Sequence, residues 1–265
     1  MCRLLAYLGP PVVGQRLLYE PEHSLVVQSY QPREMREALL NADGLGVGWY
    51  HPQRPELPYV YRNTLPIWND VNLPHLSRYL ETHCLLAYVR SATPGLAVSL
   101  ENCQPFVSDR LLFLHNGYLE NFRLGLRRSL RQQLTPEAEQ WLQGSTDSEH
   151  LCALLLSLRQ RSPALSLAQA LAATVSHVGA LAAAQSRAFT ANVILSTGQE
   201  LVACRYARQA ESLTLYWLRG APEFPQSLLL ASEPLFPGDW QSVPPQQVLR
   251  GGKDLDVSLE PIGGG

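Results

Sequence analysis

The second residue of this chain is a cysteine, and it directly follows the initiator methionine. Removal of Met1 would leave a thiol and a free α-amine on Cys2, so one residue would carry both a nucleophile and a base. An α-amine titrates near about pH 8, close enough to neutrality to accept the proton of the thiol. Cys2 therefore indicates covalent acyl transfer. The competing interpretation is an apolar cysteine at the start of a strand.

Five further stretches place polar residues beside apolar runs. They are NADGLGVGWY at 41–50, YVRSATPG at 88–95, ENCQPF at 101–106, LFLHNGYLEN at 112–121 and STDSEH at 145–150. Together with MCRLLAYLG at the N-terminus, their order and spacing resemble the class II glutamine amidotransferases, a family with an N-terminal cysteine nucleophile. The resemblance covers most of the chain and implies the four-layer αββα sandwich of the N-terminal-nucleophile hydrolases. It also implies cleavage of a γ-glutamyl amide.

Two charged residues match the charges of such a substrate, which presents an α-carboxylate, an α-ammonium and a scissile carbonyl. The resemblance assigns the carboxylate to Arg90, with hydroxyl donors from Ser91 and Thr93, because a guanidinium can bind a carboxylate through two hydrogen bonds. It assigns the ammonium to Asp147, at the start of a predicted helix. Without the resemblance, Arg90 could pair with a surface acid, and Asp147 could simply be favoured by the helix dipole.

Asn116 and Gly117 follow a predicted strand and resemble the family's His-Asn-Gly segment, which implies that they hold the oxyanion. The side-chain amide and a backbone N–H would then converge on the tetrahedral intermediate. Taken alone, Asn-Gly is a common tight-turn dipeptide and would indicate a hairpin. The glycines at 44, 46 and 48 are too closely spaced for a dinucleotide fingerprint, and they indicate close backbone packing instead.

Several segments narrow the resemblance to one branch of the family. VVQSYQPRE and LLLASEPLFPGDWQSVP, with the motifs above, are similar to amidohydrolases of ergothioneine biosynthesis, which release glutamate from γ-glutamyl hercynylcysteine sulfoxide. Tyr88 stands where many glutaminase domains carry histidine. Since the glutaminase-like motifs span nearly all 265 residues, we expect water to be the acceptor. The alternatives are a standalone glutaminase, an amidotransferase subunit, and a non-catalytic γ-glutamyl-binding protein.

Nine short apolar or β-branched runs predict strands, which outnumber the predicted helices and occur in clusters. The strands are expected at 2–8, 45–50, 59–62, 84–89, 111–115, 191–196, 200–206, 212–218 and 227–231, and the helices at 33–40, 73–81, 121–134, 136–143, 147–161 and 164–186. This clustering favours an α+β architecture of antiparallel sheets covered by helices. A turn is expected at 197–200, and a capping box between Thr146 and Glu149. We expect one glutaminase-type domain over 1–265, with a frayed tail at 262–265.

The composition argues against several other classes of protein. A net charge of −2 and the lack of an arginine stripe are unlike a nucleic-acid-binding protein. The five cysteines are scattered without a C-x-x-C pair, and the seven histidines lack metal-binding spacing, so no disulfide framework, metal or cofactor is expected. No signal peptide and no segment of membrane-spanning length is recognised. The sequence predicts a cytoplasmic enzyme with a small-molecule γ-glutamyl substrate, and leaves the oligomeric state open.

Overall fold

The computed structural model describes residues 1–35, 40–93, 95–252, 254 and 256–263. Within them, thirteen strands form two antiparallel sheets, accompanied by seven α-helices. The strands are β1 (Arg3–Val13), β2 (Leu45–His51), β3 (Arg54–Asn63), β4 (Glu81–Val89), β5 (Phe106–Ser108), β6 (Leu111–Leu119), β7 (Phe189–Ser196), β8 (Glu200–Arg208), β9 (Tyr216–Ala221), β10 (Phe224–Ala231), β11 (Gln241–Ser242), β12 (Gln247–Gly252) and β13 (Val257–Pro261). The helices are α1 (Gln15–Leu18), α2 (Leu25–Tyr30), α3 (Leu73–Tyr79), α4 (Leu126–Arg131), α5 (Pro136–Trp141), α6 (Asp147–Arg161) and α7 (Leu167–Ala184).

The first sheet has seven strands in the order β11-β9-β10-β1-β4-β2-β3, with the N-terminal strand at its centre. Leu5 of β1 pairs with Ala231 of β10 on one side and with Ala87 of β4 on the other. The second sheet has six strands in the order β13-β12-β8-β7-β6-β5. Strand β6 pairs with β7 almost throughout but with β5 only from Leu111 to Phe113. The rest of that edge of β6 is therefore not covered by a described strand.

The inner faces of the two sheets pack on each other, and helices cover both outer faces. Leu86 of β4 and Leu114 of β6 belong to the buried cluster between the sheets. Leu25 of α2 lies in the cluster outside the first sheet, whereas Leu155 of α6 and Leu171 of α7 lie in the cluster outside the second. The predicted α+β class and the αββα sandwich implied by the resemblance are confirmed.

A predicted helix and the predicted tail differ from the structure. Of the helix predicted at 33–40, Arg33, Glu34, Met35 and Leu40 are not helical, and residues 36–39 lie outside the described residues. The tail prediction does not hold for Ile262, which is buried and donates from its backbone N to Gln246 O at 2.8 Å. Residues 264–265 lie outside the described part of the chain. Ile262 is ordered because it follows β13 directly and packs in the buried cluster beneath the helices of the second sheet.

Helix α6 begins at Asp147 as predicted, but Thr146 and Glu149 form only half of a capping box. Thr146 Oγ1 accepts a hydrogen bond from Glu149 N at 3.1 Å. The Glu149 carboxylate turns away and accepts from Gln143 N and Gly144 N at 2.8 and 2.9 Å. The reciprocal bond is absent because the loop before the helix offers Glu149 two other backbone donors.

The predicted close packing at Gly46 and Gly48 is confirmed. A Cβ on Gly46 would lie 1.8 Å from Gln104 O, and one on Gly48 would lie 2.8 Å from Pro105 Cγ. Only glycine therefore lets the segment 104–105 lie against β2. The predicted turn at 197–200 joins β7 to β8, with Gly198 at φ +85°.

Among the described helices, α7 is long and apolar enough by composition to cross a membrane. The expectation that no segment reaches this length is thus wrong. Half of the helix is nevertheless buried within the fold, where Leu171, Val175 and Val178 pack in the cluster outside the second sheet. Its apolar composition is explained by this core position.

Acidification is expected to destabilise the fold through His150 of α6. The ring is buried, with Nδ1 at 2.8 Å from Thr146 O and Nε2 without a partner among the described residues. Burial lowers the pKa of His150 from 6.5 to about 4. Because the unfolded chain binds a proton in this interval and the folded chain does not, the free energy of unfolding should fall by up to about 3 kcal/mol between about pH 6.5 and pH 4.

Urea unfolding of the parent and of His150→Gln across this interval measures the effect. The variant should lose a large part of the pH dependence. Equal slopes in the two proteins would contradict the assignment to His150.

Candidate active site

Cys2 lies immediately before β1 and packs at the margin of the cluster between the sheets. Its backbone N donates to Asn116 Oδ1 at 3.0 Å, and its Sγ lies 3.8 Å from Ser91 O. Three residues that the sequence nominated for the site therefore meet. The nitrogen of Cys2 is an amide here, because Met1 precedes it. Removal of Met1 would convert this nitrogen into an α-amine that already lies one hydrogen bond from Asn116.

Burial raises the pKa of the Cys2 thiol above its ordinary value, although the charged N-terminus, the Ser91 backbone, Arg90 and Arg3 act in the opposite direction. The thiol is therefore neutral at neutral pH. Since the thiolate is the reactive form, a thiol in this environment needs a base to activate it. The only base that would be covalently fixed beside it is its own amine.

Asn116 lies inside β6, in register with Asn192 of β7, so the hairpin interpretation of the Asn-Gly pair is excluded. Its Oδ1 is occupied by Cys2 N, which directs Nδ2 elsewhere. Nδ2 is buried and has no hydrogen-bond partner among the described residues. A buried donor without an acceptor costs about 1–3 kcal/mol, and such a donor is expected where a ligand supplies the acceptor.

The N–H of Gly117 points to the uncovered edge of β6. Alternate backbone N–H groups of a strand face the same edge, and the two flanking ones are both used there. His115 N donates to Gln104 Oε1 at 2.6 Å, and Leu119 N donates to Asp147 Oδ2 at 2.8 Å. Gly117 lies between them and faces the same way. A Cβ at this position would lie 2.0 Å from a backbone oxygen of β7, so only glycine fits.

Arg90 directly follows β4 and is buried. Its two terminal nitrogens donate to Asp43 O and Ala97 O, both at 3.3 Å. Both partners are neutral carbonyls, and no carboxylate among the described residues forms an ion pair with the guanidinium. A buried cation without a counter-charge favours an anionic ligand. The side chain thus suits the α-carboxylate that the family resemblance assigns to it.

The two hydroxyl residues after Arg90 differ in their placement. Ser91 is half-buried, and its carbonyl oxygen faces the thiol of Cys2. Thr93 is exposed, and among the described contacts only its backbone oxygen is engaged, by Leu96 N at 3.0 Å. The structure therefore brings Ser91 to the nucleophile and leaves Thr93 at the surface.

Asp147 joins the start of α6 to the uncovered edge of β6. One carboxylate oxygen accepts from Leu119 N at 2.8 Å, and the other accepts from Ser148 N at 2.8 Å. Leu119 is two residues beyond Gly117, so the carboxylate lies along the same strand edge as the oxyanion donors. The side chain remains half-exposed and keeps acceptor capacity for an ammonium group.

Two residues of the ENCQPF stretch organise this edge and were not identified from the sequence. Gln104 bonds both backbone groups of His115, with Nε2 at 3.0 Å from the oxygen and Oε1 at 2.6 Å from the nitrogen. Asn102 donates to Ala97 O, the oxygen that also accepts from Arg90, and accepts from Ser145 N just before α6. The position of Asn102 and Gln104 within the ENCQPF stretch was the available signal. Neither their residue types nor their spacing predicted which backbone groups they would bond.

Arg3 supports Cys2 from the outer side of β1. Its Nε donates to Cys2 O at 2.8 Å, and its NH1 forms a buried ion pair with Glu233 at 2.8 Å. Glu233 also accepts from His23 Nε2 at 2.8 Å and from Arg33 N at 2.8 Å. These donors hold the pKa of Glu233 below its ordinary value although burial acts to raise it. Arg3 thereby links Cys2 to Glu233, which lies in the ASEP stretch at residues 231–234.

Tyr88 and His115 are buried titratable groups near these residues. Burial, reinforced by the nearby Cys2 thiol, raises the pKa of Tyr88 well above its ordinary value, so its hydroxyl stays protonated. Burial lowers the pKa of His115, whose Nδ1 lies 2.8 Å from Ser148 Oγ. Both groups are therefore neutral at neutral pH, and neither supplies a charge to the site.

A cavity of about 150 Å³ adjoins the N-terminus. It is lined by Met1, Arg3, Glu34, Tyr118 and residues 210–214. A larger cavity of about 590 Å³ lies at the opposite end of β1, beside Leu8 and Pro10. The described residues contain no group of three His, Cys, Asp or Glu side chains that could hold a metal ion. The five cysteines are free, and Cys2 alone is not fully buried.

The sequence and the fold of this chain are similar to those of several known proteins. The family described as class II glutamine amidotransferases matches residues 17–246. The Saccharomyces cerevisiae protein named "Probable glutamine amidotransferase DUG3" is 30% identical over 99% of this chain and 84% of its own length. The gamma-glutamyl-hercynylcysteine sulfoxide hydrolase of Mycolicibacterium smegmatis is 30% identical over 99% of this chain and all of its own. A solved glutamine aminotransferase class-II domain protein from Silicibacter pomeroyi superposes with a TM-score of 0.70 at 23% identity, covering 98% of this chain and 99% of that one.

Proposed function

Because the chain belongs to the class II glutamine amidotransferase family, we propose that it is an amidohydrolase that cleaves γ-glutamyl amides through a thioester on Cys2. One observation carries the proposal. The nitrogen that would become the α-amine of Cys2 bonds Asn116 Oδ1, while Asn116 Nδ2 is left as a buried donor with no acceptor among the described residues. A single amide thus orients the base and offers a donor to the oxyanion.

Substrate binding is assigned to the two ends of the γ-glutamyl group. Arg90 would bind the α-carboxylate, assisted by Ser91, and Asp147 would bind the α-ammonium. Thr93, which the resemblance nominated, would have to move inward to contribute a hydroxyl. These contacts would place the γ-carbonyl between Cys2 and the paired donors Asn116 and Gly117. In well-oriented systems, holding both reacting groups in this way lowers the activation free energy by on the order of 7–11 kcal/mol.

The reaction begins with removal of Met1. The amine of Cys2 accepts the thiol proton, and the thiolate attacks the γ-carbonyl carbon. Asn116 Nδ2 and the Gly117 N–H stabilise the resulting oxyanion. The C–N bond then breaks, the amine of Cys2 passes its proton to the leaving nitrogen, and a γ-glutamyl thioester remains. Water, deprotonated by the same amine, cleaves the thioester to glutamate and restores the thiol.

We propose γ-glutamyl hercynylcysteine sulfoxide as the substrate. The mycobacterial hydrolase supports this by aligning over its whole length. The yeast amidotransferase aligns at the same identity, so a glutaminase or an amidotransferase subunit is the second candidate. Glutamate release from glutamine, from γ-glutamyl dipeptides and from γ-glutamyl hercynylcysteine sulfoxide separates them. A kcat/KM for the sulfoxide at least tenfold above the others is the expected result, and a preference for glutamine would favour the second candidate.

Three further assignments belong to the same proposal. The two sheets and their helices would form one catalytic domain over 1–265. The enzyme would act in the cytoplasm on a small molecule, without nucleic acid, membrane or cofactor.

A non-catalytic γ-glutamyl-binding protein would instead bind glutamate analogues without forming a covalent bond. Intact-mass measurement after treatment with diazo-oxo-norleucine distinguishes the two, because only an active Cys2 would gain the mass of the label.

Replacing Arg90 by lysine is expected to raise KM about 10- to 100-fold with a smaller effect on kcat. An ammonium keeps the charge but loses the two-pronged contact with a carboxylate, and hydrogen bonds to charged groups are worth about 1.5–3 kcal/mol. Steady-state kinetics with a γ-glutamyl substrate measure the split. The control is Arg110→Lys, an exposed arginine that also donates to a backbone carbonyl, that of Pro55. An unchanged KM in Arg90→Lys would contradict the assignment.

A further inference from the structure

The proton that leaves with the amine product must travel from Cys2, and this sets where the leaving group lies. The amine can hand over a proton only within hydrogen-bond reach, about 3 Å. One of its directions is already taken, since Cys2 N donates to Asn116 Oδ1 at 3.0 Å. Another is the bond to its own Cα. The remaining direction that does not point at the thiol is the one in which Cys2 N is now bonded to the carbonyl carbon of Met1.

The carbonyl of Met1 is held by a buried asparagine. Asn41 Nδ2 donates to Met1 O at 2.6 Å. The side chain of Asn41 is fully buried at 0% exposure, and its Oδ1 is also buried without a partner among the described residues. The backbone is fixed as well, because Asn41 N donates to Ser29 O at 2.7 Å. Removal of Met1 would leave Asn41 Nδ2 facing the emptied position, and both polar atoms of this amide would then lack a partner among the described residues.

The emptied position continues into the cavity beside the N-terminus. Met1 is itself one of the lining residues, and the others include Glu34, Tyr118 and the loop 210–214. Tyr216 Oη donates to the Glu34 carboxylate at 3.0 Å, which holds that wall in place. The cavity of about 150 Å³ and the volume of Met1 would form one continuous space next to the amine.

We infer that the position of Met1 becomes the leaving-group subsite of the mature enzyme, and that Asn41 is its specificity-determining residue. The inference rests on the proposed function, since it needs the amine of Cys2 as the proton donor. Asn41 Nδ2 would donate to an oxygen of the departing amine as it does here to Met1 O. The subsite therefore selects amines that carry a carbonyl, carboxylate or sulfoxide oxygen near the leaving nitrogen, over ammonia or simple alkylamines. Asn41, the first residue of the NADGLG stretch, would thus contact the leaving group, which is the half of the substrate that Arg90 and Asp147 do not contact.

The test compares two substrates that differ by one carboxylate group on the departing amine. γ-Glutamylglycine carries a carboxylate on the departing amine, and γ-glutamyl methylamide carries none. We expect Asn41→Leu to lower kcat/KM for γ-glutamylglycine about 10- to 100-fold, while γ-glutamyl methylamide changes less than about threefold. The fold is checked by thermal melting. Asn41→Asp, which keeps the shape but repels an anion, should lower kcat/KM for γ-glutamylglycine further.

Other results would overturn the inference. An equal loss for both substrates would assign Asn41 to a step common to all amides, such as holding the hydrolytic water. No loss for either would remove it from the site. If Asn41→Leu does not fold, Asn41→Asp carries the same comparison. A parent enzyme that hydrolyses neither substrate, nor glutamine, nor γ-glutamyl hercynylcysteine sulfoxide would instead count against the proposed function, so the two failures are distinct.

Discussion

Cys2→Ala is expected to abolish glutamate release, with kcat lowered on the order of 10⁴- to 10⁶-fold, because no covalent intermediate can form. The fold should persist, since Cys2 packs only at the margin of the core between the sheets. Stopped-time assays of glutamate release measure the loss, and thermal melting checks the fold. Cys84, Cys103, Cys152 and Cys204 are buried, so thiol labelling of the parent should report Cys2 alone.

The amine has its own test, independent of the thiol. A protein that carries a non-removable residue in front of Cys2 keeps the nucleophile but turns the amine into an amide, which cannot accept a proton. We expect it to be as inactive as Cys2→Ala, and intact mass identifies which form is present. A fully active Cys2→Ala protein would falsify thioester chemistry, whereas an active extended protein would show that another group is the base.

The central strands of both sheets were predictable because they are continuous apolar runs, whereas the four-layer arrangement was implied only by the family resemblance. Strand β7 is buried at every position, and the sequence predicts all but its first two residues. The strands that were missed are short or lie toward the sheet edges, as β5, β11, β12 and β13 do. Their side chains are partly exposed, so the apolar signal is weak. The local apolar pattern thus identifies strands whose two faces are both buried, and it misses strands that bury only one face.

The candidate site was predictable only where a motif carries the residue. The dipeptide Asn116-Gly117 is equally consistent with a turn, and only pairing with β7 places it inside a strand. The bond between Asn41 and Met1 and the ion pair between Arg3 and Glu233 join residues 40 and 230 positions apart. Such contacts follow from the order of the strands in a sheet, which no local pattern specifies. The supporting residues are consequently the part of the site that requires a structure.

The second large effect is expected at Asn116, where two roles can be separated by two substitutions. Asn116→Ala removes both the acceptor for the Cys2 amine and the Nδ2 donor, and kcat should fall about 10²- to 10³-fold with little change in KM. Asn116→Asp retains an oxygen for the amine but offers no donor and places a negative charge beside the oxyanion. We expect it to lose at least as much kcat as the alanine variant.

The matched control is Asn192→Ala, because Asn192 stands opposite Asn116 in register and is equally buried but donates to Thr214 O at 2.8 Å. A loss of stability shared by both alanine variants, with kcat reduced only in Asn116→Ala, would separate chemistry from packing. If Asn116→Asp kept the parental kcat, the unpartnered Nδ2 would have no part in the reaction, and orientation of the amine would be the residue's whole contribution. The buried Nδ2 donor would then be a stability cost without a catalytic return, which is the outcome that the geometry around Cys2 argues against.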